Sequence, residues 1–309
     1  YSDPDNKVDE YDLGRLYNLL GMLYDLQNQF EEAEKYYLAA IEIYERLVEK
    51  NADAYEPALA ASYNNVGTFY YGQNKPEKAE KYYLAAIEIC ERLVEKNADA
   101  YELYLATSYN NAGVFYYEQG RLEKSEKYIL AAMEIRERLA KKNADAYEPD
   151  LAMSYNNAGI FYKKQGQSEK VEKYYLAAIE IYERLAKKNA AAYESYLATS
   201  YNNAGNFYKK QGQSGKAEKY YLAAIEIQKR LVGKNAEAYE PDLATSYNNA
   251  GVFYYEQGRL EKSEKYILAA IEIRERLVKK NADAYEPDLA DSYNNAGEFY
   301  ANQDYLEKS

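Results

Sequence analysis

The chain has 309 residues, 51 acidic against 39 basic side chains and a net charge of -12, so its mean field repels nucleic acid and anionic membrane surfaces and sets both aside as partners. Its one cysteine, Cys90, can form no internal disulfide, which fits a reducing, cytoplasmic setting. With no histidine, Ser/His and Cys/His nucleophilic machinery and histidine-based metal sites are excluded; no phosphate-binding glycine loop appears either, so neither enzyme, metal nor cofactor is expected.

No charged-then-apolar leader opens the chain, and no apolar run approaches the roughly 18–20 residues that cross a bilayer. The first residues, YSDPD, look like the tail of a unit whose later copies read YEPD, and LEKS at 306–309 stops inside a unit, so a piece of a longer array is expected. Between them one tyrosine sets a register: Tyr17, Tyr63, Tyr109, Tyr155, Tyr201, Tyr247 and Tyr293 recur every 46 residues. Leu105–Asp150 returns at Leu243–Asp288 with only Met133 becoming Ile271 and Ala140 becoming Val278. A fixed period of this size means stacked supersecondary units, each unable to bury its apolar side alone. The reading is one solenoid over 1–309, six full units and a truncated seventh, starting near 13, 59, 105, 151, 197, 243 and 289.

Within a unit, Leu105, Tyr109, Ala112, Gly113 and Tyr116 share one side of a helix, A. Pro57, Pro149, Pro241 and Pro287 are expected in its first turn, where a missing N–H is harmless. Gly21, Gly67, Gly113, Gly159, Gly205, Gly251 and Gly297 interrupt it, although each mid-helix glycine costs about 1 kcal/mol relative to alanine; a partner helix crossing closely would explain them. The glycines at 120, 166, 212 and 258 read as C′ stops.

Helix B begins near Leu122 with Leu122, Ser125, Ile129, Ala132, Met133, Leu139 and Ala140 on one arc, and runs to about Lys142. Its charges, such as Glu123 with Lys127 and Glu134 with Arg138, read as a solvated i,i+4 face. Asn-Ala-Asp-Ala-Tyr is expected to turn the chain into the next unit. Cys90 aligns with Tyr44, Arg136, Tyr182, Gln228 and Arg274 and reads as a semi-buried filler. Unit one departs most, with Leu19 for asparagine and Asn28 for glycine, as a capping copy would.

These residues resemble the tetratricopeptide repeat family: Tyr109, Asn111, Gly113 and Tyr116 in helix A, and Ser125, Ile129 and Ala132 in helix B, stand at the family's motif positions over essentially the whole chain. Glu137 replaces the proline that ends the usual shorter unit, and the lengthened helix is similar to the kinesin-light-chain type. The resemblance implies an all-α fold, a right-handed α-solenoid or superhelix of antiparallel helix-turn-helix repeats, with A helices lining an inner groove for extended peptides.

On that groove side would lie Asn65, Asn111, Asn157, Asn203 and Asn249, whose amides can donate and accept toward a peptide backbone. The same amides could instead stitch neighbouring helices; Asn110 and its copies read as stitches. Units four and five carry Lys163, Lys164, Lys209 and Lys210 where others carry Tyr117-Glu118 and Tyr255-Glu256. Either these lysines are solvated, or with Tyr117 and Tyr255 they suit an acidic ligand with an aromatic or apolar anchor. The leading expectation is a scaffold or sensor array binding a protein or linear peptide. The alternatives are a structural array stacking end to end, or the regulatory arm of a larger signalling or defence protein.

Overall fold

A computed structural model describes residues 9–308, with side chains through residue 301. YSDPD and the side chains of LEKS therefore lie outside the described residues. All thirteen elements among the described residues are α-helices. Helices of type A are α1 (Glu10–Leu26), α3 (Ala52–Gly72), α5 (Ala98–Glu118), α7 (Ala144–Lys164), α9 (Ala190–Lys210), α11 (Ala236–Glu256) and α13 (Ala282–Lys308). Type B are α2 (Phe30–Lys50), α4 (Pro76–Lys96), α6 (Leu122–Lys142), α8 (Ser168–Lys188), α10 (Ser214–Lys234) and α12 (Leu260–Lys280). The chain divides into two compact units, Tyr1–Asn157 and Ala158–Ser309.

In the first unit α1 packs on α2, α3 on α4 and α5 on α6, and each B helix then meets the next A helix; the second unit repeats this with α9 to α13. Each unit is thus an α-solenoid of antiparallel pairs. A helices also approach one another closely, α3 with α5 and α9 with α11, whereas B helices reach one another through long side chains, Lys78 of α4 to Glu34 of α2 at 3.2 Å and Lys262 of α12 to Glu218 of α10 at 3.3 Å. The A layer is therefore the more tightly gathered side. Helix B supplies the core: in α4, Ala79, Tyr83, Ala86, Ile87, Cys90 and Leu93 are all buried.

The Asn-Ala-Asp-Ala-Tyr segment is not a turn. Only its asparagine leaves helical geometry: Asn51 sits at φ -158°, ψ 92°, and its side-chain oxygen accepts from the Ala54 N–H at 3.2 Å. Asn97, Asn143, Asn189, Asn235 and Asn281 cap in the same way. Because such a cap satisfies an otherwise orphaned amide, the helix starts at the next residue. Pro57, Pro149, Pro241 and Pro287 consequently lie inside helices α3, α7, α11 and α13, not in their first turns, and each removes one intrahelical hydrogen bond. The C′ reading holds: Gly120 has φ +71°, and Arg121 N–H closes onto Tyr116 O at 2.9 Å.

The recurring mid-helix glycines face helix B, as expected. A Cβ on Gly113 would stand 2.7 Å from Ile129 Cγ1 and 3.1 Å from the Ile129 nitrogen, while Ser125 Oγ donates to Gly113 O at 2.8 Å. In most other copies a tyrosine ring fills that place, Tyr83 against Gly67 and Tyr221 against Gly205; Gly297 has open space.

The charged face is more than solvated pairs. Arg138 reaches back to the buried Glu102 at 2.9 Å, across the hairpin. Tyr116 and Tyr109 donate their hydroxyls to Glu80 and Glu91 of the preceding B helix. In α1, Leu16, where other copies have a buried serine, is exposed, as are Leu23 and Leu26.

Candidate functional site: the amide ladder and lysine cluster of the A helices

The asparagine preceding each candidate amide is a stitch. Asn64 Nδ2 donates at 2.7 Å to Ser108 Oγ in the next A helix, and Ser108 passes its own proton to Tyr104 O at 3.0 Å. Asn18 with Ser62 and Asn202 with Ser246 repeat the contact. The serine's hydroxyl proton is already committed, so it presents a lone pair and the asparagine must present its NH2.

Two repeats differ, and a residue of helix B decides it. Where that residue is arginine, its guanidinium donates to the serine: Arg136 Nη1 to Ser154 Oγ at 2.5 Å, and Arg274 Nη1 to Ser292 Oγ at 2.6 Å. An arginine is a donor only, so the serine keeps its own proton for the asparagine opposite, which turns its oxygen toward it, as where Ser292 Oγ donates to Asn248 Oδ1 at 3.5 Å. Asn110 Oδ1 then accepts from Asn157 Nδ2 at 3.0 Å, and Asn248 Oδ1 from Asn295 Nδ2 at 3.0 Å. Asn157 is thereby spent on its neighbour. Asn65, Asn111, Asn203 and Asn249 are half-buried and make no side-chain hydrogen bond among the described residues. The candidate ladder splits into four open amides and one closed one, which the repeated Asn-Asn motif did not disclose.

In the second unit, Lys209 pairs with Glu256 at 2.8 Å and is mostly withdrawn from water. Lys163 and Lys210 are exposed and have no ion pair among the described residues; Lys164 is exposed too. Crowding by protein, then the ammonium groups of Lys210 and Lys209, pushes Lys163 below the ordinary lysine value. Three lysine charges thus come together, but Lys209 is already neutralised by Glu256. Tyr255 is half-buried and meets Phe299 edge-on at 5.8 Å, and Tyr117 is half-buried in the first unit. These tyrosines are packing residues before they are anchors.

Cys90 is fully buried at 1 % exposure, not semi-buried, with its sulfur 3.5 Å from Ser108 Oγ. It belongs to a cavity of about 390 Å³ in the first unit, between α3 and α5. A second hollow of about 330 Å³ lies beside it over Tyr44 and shares Asn65 and Tyr104, and the sequence reading singled out neither.

Two family profiles described as tetratricopeptide repeat match this sequence, one over residues 104–184 and the other over 13–51, 59–97, 197–235 and 243–281, together well over half of the chain. The chain belongs to the tetratricopeptide repeat family. No curated protein sequence matches it significantly. Solved structures similar to this repeat chain include BtubC (BKLC) from P. vanneervenii, at 22 % identity and TM-score 0.65, covering 82 % of this chain and 92 % of that one. The TPR-like repeats of a putative kinesin light chain from Podospora anserina follow at 14 % and 0.53, covering 72 % and 98 %. The Rap conjugation gene regulator of plasmid pLS20, in complex with the Phr* peptide, matches at 15 % and 0.57, covering 100 % and 80 %. At these identities the likeness is one of fold. Among the described residues no helix is long and apolar enough to cross a membrane, and no acidic or cysteine cluster could hold a metal ion.

Proposed function

We propose that this tetratricopeptide repeat chain is a non-catalytic capture module that binds an extended, acidic segment of a partner protein along its A helices. The observation that carries it is the pairing, in the second unit, of open amides at Asn203 and Asn249 with the unpaired ammonium groups of Lys163 and Lys210. Open amides complement a peptide backbone whatever its side chains, and uncompensated lysines favour carboxylates on an otherwise acidic molecule. The Rap regulator solved with a peptide lends the reading support from the fold. Titration of a fluorescent oligoglutamate peptide at low salt tests it. Lys163→Glu with Lys210→Glu abolishes the binding; unchanged affinity in that variant overturns the acidic reading.

The exposed Leu16, Leu23 and Leu26 of α1 favour a second reading, self-association through that helix. Light scattering against concentration decides it: a monomer throughout removes it.

A further inference from the structure

One position of helix B faces the next repeat throughout the chain and is buried wherever it occurs: Tyr44, Cys90 and Arg136 in the first unit, Tyr182, Gln228 and Arg274 in the second. Its volume varies more than that of any neighbour. Tyr182 uses it to lay a ring on Tyr196 of α9, centroids 5.7 Å apart and planes 14° from parallel. Tyr196 is the copy, two repeats on, of Tyr104 in α5, as Tyr182 is of Cys90. In the first unit the rim tyrosine is therefore present and the ring beneath it is missing. The 390 Å³ cavity stands there, with Cys90, Leu103 and Tyr104 on its apolar wall, and the hollow beside it, which shares Tyr104, has the Tyr44 ring in its wall. That volume lies within the range of about 300–1,000 Å³ that ligand pockets occupy.

The polar groups are equally specific. Asn65 and Asn111, both open amides, line the cavity, and so does Asn64, whose Oδ1 has no partner because its NH2 is committed to Ser108. Among the described residues no charged side chain lines it. Tyr104 lines the hollow, is 45 % exposed and touches Tyr101 only at a tilt, with ring centroids 6.3 Å apart.

The geometry points to a receptor for one uncharged aromatic side chain of a bound protein segment, stacked on Tyr104 over Cys90 with its polar edge toward Asn65 and Asn111. The chain's own Tyr182–Tyr196 pair is the template for that contact. The inference rests on capture along the A helices, and it assigns to the first unit an anchor separate from the lysine cluster of the second.

The test uses p-cresol, the isolated tyrosine side chain, added to the whole protein with no peptide present and followed by NMR. It shifts the resonances of Tyr104, Asn65 and Asn111, and cyclohexanol at equal concentration does not. Cys90→Tyr fills the slot as Tyr182 does and weakens p-cresol binding by about tenfold or more. The fold survives that change, since Tyr44 and Tyr182 already occupy the position. Tyr104→Ala, at an exposed position, loses the binding as well. Lys163→Glu with Lys210→Glu leaves it intact, so failure of the acidic-peptide reading and failure of this one are told apart. Equal binding of cyclohexanol, or p-cresol binding undiminished by Cys90→Tyr, overturns the inference.

Discussion

Arg136 of α6 donates to Ser154 Oγ of α7 at 2.5 Å, and through that one contact it sets the orientation of Asn110 and engages Asn157. Replacing it by glutamine copies the arrangement at Gln228, where Ser246 donates to the glutamine and Asn202 donates to Ser246. Asn110 then turns its NH2 to Ser154 and releases Asn157. Hydrogen exchange of the Asn157 side-chain amide, read by NMR, accelerates in Arg136→Gln. Stability changes by less than about 2 kcal/mol, because a buried charge and its desolvation cost leave together.

Gly113 and Gly297 occupy equivalent places and respond in opposite directions. Gly113→Ala drives a Cβ against the Ile129 backbone nitrogen, which a side-chain rotation cannot relieve, and costs about 1–3 kcal/mol. Gly297→Ala meets nothing and gains about 1 kcal/mol from helix propensity. Urea denaturation of the two single variants gives the signs.

Acid weakens the second unit through Glu218. A hydrogen bond from Arg259 chiefly, opposed by burial and aided by Tyr254 and Lys262, holds its carboxyl below the ordinary 4.5. A folded value below the unfolded one contributes stability that is complete above about pH 4.5 and lost as the pH falls through the folded value. Denaturation midpoints across that window fall more steeply in the native protein than in Glu218→Gln.

Lys163 makes capture of an acidic segment proton-linked. Crowding of its ammonium by protein, then the charges of Lys210 and Lys209, lowers its value from the ordinary 10.5, and a bound carboxylate raises it again. Affinity for oligoglutamate therefore falls as the pH rises through the lowered value, with proton uptake on binding. Calorimetry in buffers of different ionisation enthalpy detects that uptake, and Lys163→Gln removes it.

The repeat tyrosines at 46-residue spacing carried the fold, because a hairpin that cannot close its own core announces its stacking in the pattern. The C′ glycines were legible for the same local reason. Helix A's start was not: Asn51 competes as turn former and helix cap, and only the helix behind it decides between them. The state of the amides was not legible at all. Asn111 and Asn157 sit in the same Asn-Asn-Ala-Gly motif, and what separates them is a residue of the preceding B helix, Cys90 or Arg136, buried against the next repeat. The pairing of Lys209 was not legible either, because its partner, Glu256, lies a full repeat away.

The central claim is that open amides, not asparagines as such, hold the captured segment. Isothermal titration of oligoglutamate into Asn203→Ala with Asn249→Ala, compared with Asn157→Ala with Asn295→Ala, addresses it directly. The first pair loses about tenfold or more in affinity and the second keeps that of the native protein. Equal losses in both pairs, or no loss in the first, would contradict the account.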